Sequence, residues 1–125
     1  LKFLKTAQDK KIFYLNNGGK HWRDFTYIDD VVSNLEKLLN KNFRNNTIIN
    51  ICSNKPIYII NLINYLCKKT NFYNVKKIKH NKIEAFKTHG ENNKLKKITK
   101  FKKFSNFYNS VDKTIEWYQT YKKLI

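Results

Sequence analysis

Methionine is absent from this 125-residue chain, and glycine (3), cysteine (2) and proline (1) are scarce. Without methionine there is no initiating residue, and the chain opens inside a helical pattern at Leu1-Lys-Phe-Leu. A piece of a longer polypeptide is the economical reading, and removal of a start residue or a targeting peptide is the alternative. No apolar run approaches the ~20 residues of a membrane span, and nothing reads as a signal peptide, so a soluble, cytoplasmic chain with no membrane partner is expected. The length suits one domain with a modest core and is too short for two. Cys52 and Cys67 stand far apart with no Cys-x-x-Cys and no histidine at ligand spacing, which points to reduced thiols and no metal site. His21, His80 and His89 form no ligand cluster either.

Arginine is the next scarcity. Of 26 basic residues only Arg23 and Arg44 are arginine, and the remainder are lysines spread almost end to end. The net charge of +17 attracts phosphate backbones in principle. A dedicated nucleic-acid surface more often uses arginine forks and clustered basics with interleaved aromatics. The abundance of Lys, Asn, Ile, Phe and Tyr is what an AT-rich coding sequence produces, so solvated lysines are expected and no nucleic-acid partner. A small basic nucleic-acid-binding module stays as the alternative of another class.

The apolar periodicity gives an α/β order. Leu1–Gln8 reads as the end of a helix and Lys11–Leu15 as a strand. Asn16-Asn17-Gly18-Gly19 is a turn of residues that tolerate positive φ. A strand at Phe25–Ile28 leads to a helix near Asp29–Leu39. Its Val31, Val32, Leu35, Leu38 and Leu39 form one stripe expected to be buried. Asp29 is placed to cap it and Asp30 to favour its dipole. Thr47–Cys52 reads as a buried parallel-type strand, broken by Ser53-Asn-Lys-Pro56. A helix over about Ile60–Thr70 buries Leu62, Ile63, Leu66 and Cys67, and Val75–Ile78 is a short strand. His80–Gly90 is the longest loop. Helices over about Asn92–Ile98 and Asn106–Lys122 close the chain, the last with Phe107, Val111, Ile115 and Tyr118 on one face and Asn106 as its cap.

Gly19-Lys-His-Trp-Arg-Asp-Phe-Thr-Tyr-Ile-Asp-Asp30 carries the most functional information. Its Arg-Asp-Phe-Thr-Tyr-Ile-Asp-Asp run resembles a signature of the extended short-chain dehydrogenase/reductase family, within it the nucleotide-sugar epimerases and dehydratases, and UDP-glucuronate 4-epimerases in particular. Further blocks follow in the same order. Ile12-Phe-Tyr-Leu15 with its Asn/Gly turn resembles the preceding strand. Ile49-Asn-Ile51 with Ser53-Asn-Lys-Pro56 resembles the Tyr-Asn-Ile-Gly strand and its loop. Glu84 to Glu91 with Lys94 is similar to the Gly-Asp-Val-Pro segment and its lysine, and Ile115-Glu-Trp-Tyr118 to the C-terminal helix.

The resemblance implies the C-terminal, nucleotide-sugar-binding part of a Rossmann-type enzyme, with short strands and three to four helices over residues 1–125. NAD would sit on an N-terminal half that is not in this chain, and the chain alone would be inactive. The full enzyme would be a cytoplasmic homodimer in polysaccharide biosynthesis, acting on a UDP-sugar such as UDP-glucuronate. A 4,6-dehydratase or reductase of the same family is the near alternative. Arg23 would grip the diphosphate, Phe25 would pack beside the nucleotide, Phe13 and Leu15 would line the uracil pocket, and Glu84 would reach a ribose hydroxyl. This chain departs from the pattern at Leu15, commonly aromatic; at Cys52, normally glycine; at Glu84 and Glu91, normally aspartates; and at Lys82-Ile83, where Pro-Gly is usual.

No catalytic residue is expected here. There is no Gly-x-x-Gly-x-x-Gly loop to cradle a pyrophosphate. Tyr-x-x-x-Lys occurs at Tyr65/Lys69, Tyr73/Lys77 and Tyr118/Lys122, but with 8 tyrosines and so many lysines chance supplies such matches. Each remaining candidate has a plainer reading beside the functional one. For Arg23 it is an ion pair with Asp24. For Asp29 and Asp30 it is capping, and for His89 with Glu91 the absence of further ligands. Trp117, Tyr118 and Tyr121 read as packing, and Asn50 as a strand-end hydrogen bonder against a contact near the sugar.

Overall fold

A computed structural model describes residues 1–43, 45–79 and 85–122; Arg44, His80 and Glu84 lie outside the described residues. In chain order the elements are α1 (Lys2–Gln8), β1 (Phe13–Asn16), a 3-10 turn (Asn17–Gly19), β2 (Trp22–Asp24), α2 (Ile28–Leu39), β3 (Pro56–Tyr58), α3 (Ile59–Thr70), β4 (Val75–Ile78), α4 (Asn93–Thr99) and α5 (Phe107–Tyr121). The fold is α/β, with five α-helices among the described residues against the three to four expected, because the opening residues form a helix of their own.

The strands form two small sheets. β1 and β4 run parallel, with Phe13 opposite Val75 and Leu15 opposite Lys77. β2 and β3 run antiparallel, pairing Trp22 with Tyr58, Arg23 with Ile57 and Asp24 with Pro56. The main core gathers Phe3 and Leu4 of α1, Leu15 of β1, Ile63, Leu66 and Cys67 of α3, and Ile115 and Tyr118 of α5. Phe3 meets Phe13 and Phe72 edge-on at 5.0 and 5.7 Å, which favours the ring quadrupoles as well as burying area. The Asn/Gly turn behaves as expected: Asn17, Gly18 and Gly19 take φ of 49°, 59° and 73°. At Gly19 a Cβ would also approach the Ile60 backbone nitrogen to 3.1 Å, so glycine is needed for close packing as well as for φ. Asn106 caps α5 through its Oδ1, which accepts from the Tyr108 and Asn109 amides at 3.0 and 3.2 Å.

Five expectations are corrected. The strand expected at Phe25–Ile28 lies instead at Trp22–Asp24. Asp24 faces Pro56, which has no N–H to give, and the ladder ends there. β3 follows directly on the Ser53–Pro56 break, where no strand was expected. Asp29 does not cap α2: Tyr27 is the N-cap residue without a side-chain cap bond, and Asp29 sits in the first turn.

The fourth correction concerns α2, whose apolar stripe is not buried. Its buried residues are Asp30 and Asn34, while Val32, Leu35 and Leu39 are exposed. The polar side turns inward because its groups are satisfied there. Asp30 accepts from the Ser105 amide and hydroxyl, both at 2.9 Å. Asn34 donates to the Asp30 carbonyl at 2.7 Å and takes the Thr99 hydroxyl at 3.2 Å. The fifth concerns Thr47–Cys52, which is no strand and leaves Ile48 exposed. No described backbone group bonds another backbone group along it.

Candidate functional site around Arg23

β2 carries the site. Trp22 anchors it: its amide donates to the Phe86 carbonyl at 2.9 Å, and the Thr88 amide donates to the Trp22 carbonyl at 3.1 Å. The 85–88 segment is thereby bridged to the free side of β2 at Lys87. Its indole also stacks on Tyr58 across the ladder, with centroids 4.9 Å apart.

Arg23 is half-buried on this platform. Its Nη1 donates to its neighbour's carbonyl, Trp22 O, at 2.7 Å and to Ala85 O at 2.8 Å. Both protons of that nitrogen are therefore used. The Nε/Nη2 edge, the one that grips a carboxylate or phosphate with two parallel bonds, has no protein partner among the described residues. The ion pair with Asp24 does not form: the described ion pairs are Lys11–Asp9 and Lys69–Asp112.

Asp24 has a different task, which the sequence reading missed. Its carboxylate accepts from Ser53 Oγ at 2.5 Å, the Gly90 amide at 3.0 Å, the Asn54 amide at 3.1 Å and the Lys55 amide at 3.4 Å. One carboxylate thus ties β2 to the Ser53–Lys55 turn and to the Gly90 loop. Gly90 is needed for that approach, since a Cβ would overlap Cys52 Sγ and come within 2.7 Å of Cys52 Cβ. The signal available in the sequence was the small-residue spacing of Ser53 and Gly90, which means nothing until the loops are brought together. His89 Nε2 lies 2.5 Å from Asn54 Oδ1, so its ring belongs to the same loop cluster.

The other expected site residues are dispersed. Phe25 is partly exposed against Phe107, 5.5 Å between centroids. It lines a mainly apolar cavity of about 550 Å³ that also takes in Tyr27, Leu66, Phe104 and Phe107 but not Arg23. Phe13 and Leu15 lie on the β1–β4 sheet, Leu15 within the core and Phe13 packed against it. Asn50 donates to the Glu91 carbonyl at 3.4 Å and Lys94 to the Ile48 carbonyl at 2.8 Å. Trp117 and Tyr121 are exposed and stack on each other, while Tyr118 is core.

Tyr65 and Lys69 are brought together, but on a structural carboxylate. Tyr65 donates to Asp112 Oδ1 at 2.7 Å and Lys69 to Oδ2 at 2.9 Å, fastening α3 to α5. Partial burial and the Asp112 hydrogen bond push the Tyr65 phenol up. The Lys69 and Tyr65 hydrogen bonds hold the Asp112 carboxyl below its ordinary value, and the Asp112 hydrogen bond raises Lys69. A phenol that must give up its proton needs the opposite shift.

Both cysteines are free, and burial pushes their thiols up. No group of three potential metal ligands assembles among the described residues, and no described helix is long and apolar enough to cross a membrane. A dinucleotide does not fit what is described either: Gly18 and Gly19 form a 3-10 turn packed on α3, not a loop opening a helix toward a pyrophosphate.

The geometry defines an α/β fold with a poised arginine edge, and comparisons with known proteins agree on that fold. The chain superposes on dTDP-glucose 4,6-dehydratase from Streptomyces venezuelae, solved with NAD, at a TM-score of 0.88 and 17% identity, covering 98% of this chain and 38% of that one. It superposes on UDP-glucuronic acid 4-epimerase from Bacillus cereus, solved with UDP-glucuronic acid and NAD, at 0.78 and 21%, covering 94% and 38%. An epimerase from Methanothermobacter thermautotrophicus gives 0.87 and 15%, covering 98% and 37%. The chain therefore spans about two fifths of the length of these structures. The family model described as NAD dependent epimerase/dehydratase matches residues 1–52, the stretch that holds Arg23 and Asp24. No curated protein sequence matches.

Proposed function

We propose that this chain is the C-terminal, nucleotide-sugar-binding part of an NAD-dependent epimerase or dehydratase, with a UDP-sugar such as UDP-glucuronate as substrate. The observation that carries the reading is the Arg23 fork. One nitrogen is pinned by two carbonyls, and among the described residues nothing takes the Nε/Nη2 edge, which suits a ligand with paired anionic oxygens. A sugar-nucleotide diphosphate has that shape, and a permanently charged planar donor suits it. The family match over residues 1–52 and the fold likeness support the same class.

In this reading Phe25 packs beside the nucleotide and Glu84 reaches the ribose. Leu15 within the core, and Phe13 packed against it, back the base pocket. NAD binding and the redox residues belong to an N-terminal half, and a homodimer is the expected assembly of the full enzyme. This chain supplies recognition: it orients the diphosphate and leaves proton and hydride transfer to the other half.

The test is calorimetric titration of the full enzyme with UDP-glucuronate. Arg23→Ala is expected to lose about 1.5–3 kcal/mol of binding, the scale of a charge-assisted hydrogen bond. Arg23→Lys recovers only part, because a point charge lacks the fork. An unchanged Kd in Arg23→Ala would refute the assignment. Tighter binding of dTDP-glucose than of UDP-glucuronate would move it to the 4,6-dehydratases. DNA binding with a steep salt dependence, untouched by either sugar nucleotide, would move it to the basic module.

A further inference from the structure

Lysines run through the chain almost end to end, but the acids that would neutralise them do not. No aspartate or glutamate occurs within residues 37–83 or within residues 92–111. The second stretch carries Lys94, Lys96, Lys97, Lys100, Lys102 and Lys103. The fold brings the two stretches together. Thr99 of α4 bonds Asn34 of α2, and Lys37 Nζ, further along α2, lies 4.9 Å from the centroid of the Phe101 ring.

These lysines stand on a fixed frame. Leu95 and Thr99 are buried on the inner side of α4, while Lys37, Lys97, Lys100, Lys102 and Lys103 are exposed. Lys100 ends α4 in the left-handed region, φ 54°, with its amide on the Lys96 carbonyl at 2.9 Å. The Phe101 amide donates to the Thr99 hydroxyl at 3.3 Å, and its ring meets the buried Phe104 edge-on at 4.9 Å. None of the five exposed lysines has a carboxylate partner among the described residues, whose ion pairs are Lys11–Asp9 and Lys69–Asp112. The acids bordering the patch are engaged elsewhere, apart from the exposed Glu36. Glu91 takes the Asn93 amide, Asp30 takes Ser105, and Asp112 takes Tyr65 and Lys69. Like charges gathered on one face repel one another, and an anionic partner relieves that repulsion.

We infer that the outer side of α4, the 100–103 turn and Lys37 form a docking surface for an anionic lipid bilayer. A cluster of lysines on the outer face of a short helix matches a plane of negative headgroups, which asks for charge density and not for directed hydrogen bonds. The patch holds no arginine fork, and its aromatics, Phe101 and Phe104, are half-buried and buried, so it offers no open ring for a nucleic-acid base to stack on. The apolar side of α4 is already used inside the fold, so the contact is peripheral, electrostatic and reversible. It does not depend on Arg23 or on the reading of that residue as a diphosphate ligand.

The experiment sediments the full-length protein with vesicles of phosphatidylcholine, with and without about 30 mol% phosphatidylserine. Wild type is expected to partition onto the anionic vesicles, to ignore the neutral ones, and to be released at about 0.5 M salt, where screening is short-ranged. Each lysine near an anionic surface contributes about fivefold to the partition coefficient. The triple variant Lys97→Gln, Lys100→Gln, Lys102→Gln is therefore expected to lose about a hundredfold, and Lys37→Gln alone, on a different element, about fivefold. A control triple, Lys10→Gln, Lys76→Gln, Lys79→Gln, removes the same charge from exposed positions outside the patch and should lose less than about fivefold. The substituted lysines of the patch form no ion pair in the structure, so the melting curve by circular dichroism should be unchanged.

Failure of the wild type to prefer anionic vesicles overturns the inference without any variant. Equal loss from the two triples overturns it as well, because the attraction would then belong to the net charge and not to this face. Unchanged partitioning of both the α4 triple and Lys37→Gln has the same consequence. Generic DNA that displaces the protein from the vesicles, with an affinity the α4 triple lowers more than it lowers vesicle binding, overturns it in favour of a nucleic-acid partner. Should the α4 triple fail to fold, Lys37→Gln and the lipid and salt dependence of the wild type still decide. UDP-glucuronate titration reads the Arg23 proposal separately: vesicle binding through the lysines with no Arg23-dependent titration sinks that proposal and leaves the surface, and the converse sinks the surface alone.

Discussion

Asp24→Ala should be the most damaging single change near the site, although Asp24 touches no expected ligand. Its carboxylate takes three hydrogen bonds of 3.1 Å or less, from Ser53 Oγ and the Gly90 and Asn54 amides, with the Lys55 amide at 3.4 Å. Hydrogen bonds to a charged acceptor contribute about 1.5–3 kcal/mol each when removal strands the donor. These are half-buried, freed donors regain some water, and bonds sharing one acceptor do not add. About 3–5 kcal/mol is therefore expected, at the upper end for a point substitution. Asp24→Asn keeps the shape but only one acceptor oxygen, and should cost about 1–3 kcal/mol. Urea titration is the assay: the midpoint should fall with the slope unchanged, because the loss is of stability and not of compactness. Arg23→Ala should shift the midpoint less, since its two acceptors are carbonyls on the more accessible rim. A midpoint for Asp24→Ala within about 0.5 kcal/mol of wild type, the range of an ordinary surface change, would refute the idea that this carboxylate organises the loops.

Other outcomes follow from the same geometry. Gly90→Ala should destabilise the chain by about 1–3 kcal/mol through overlap with Cys52, and Cys52→Gly should restore most of it in a double-mutant cycle; simple additivity would show that the two do not meet. The Asp112 carboxyl, held below its ordinary value by Lys69 and Tyr65, gives stability that is complete above its unfolded value of about 3.9 and lost as pH falls through the lower folded value. Lys69, raised by Asp112, gives stability that is complete below its unfolded value of about 10.4 and lost as pH climbs through the folded one. Lys69→Met should move the Asp112 carboxyl resonance titration back toward the ordinary range; no movement would mean the pair does not persist in solution.

Much of the fold was readable because its signals are local. The Asn/Gly turn needs positive φ, which Asn17, Gly18 and Gly19 supply whatever surrounds them. Asn106 caps α5 with its own side chain, and the α3 and α5 faces bury Ile63, Leu66, Ile115 and Tyr118 at helical spacing. The reading failed where burial depends on a partner. The α2 stripe has the period of a core-facing helix, and period alone cannot say that Asp30 and Asn34 have Ser105 and Thr99 waiting on the inner side. Thr47–Cys52 has a strand's composition, but a ladder takes two chains, and no described segment offers the second.

The candidate site divides the same way. The sequence by itself determined that a lone, permanently charged arginine stands beside an aspartate ahead of an amphipathic helix, because residue type and order are local properties. Only the tertiary structure decided their division of labour. Ala85, Ser53 and Gly90 lie 62, 29 and 66 residues away along the chain. Their arrival pins one Arg23 nitrogen, opens the other edge of its fork, and turns Asp24 from an ion-pair candidate into the acceptor that holds three segments together. Hydrogen bonds a few ångströms long between residues so distant in sequence exist only once the chain has folded.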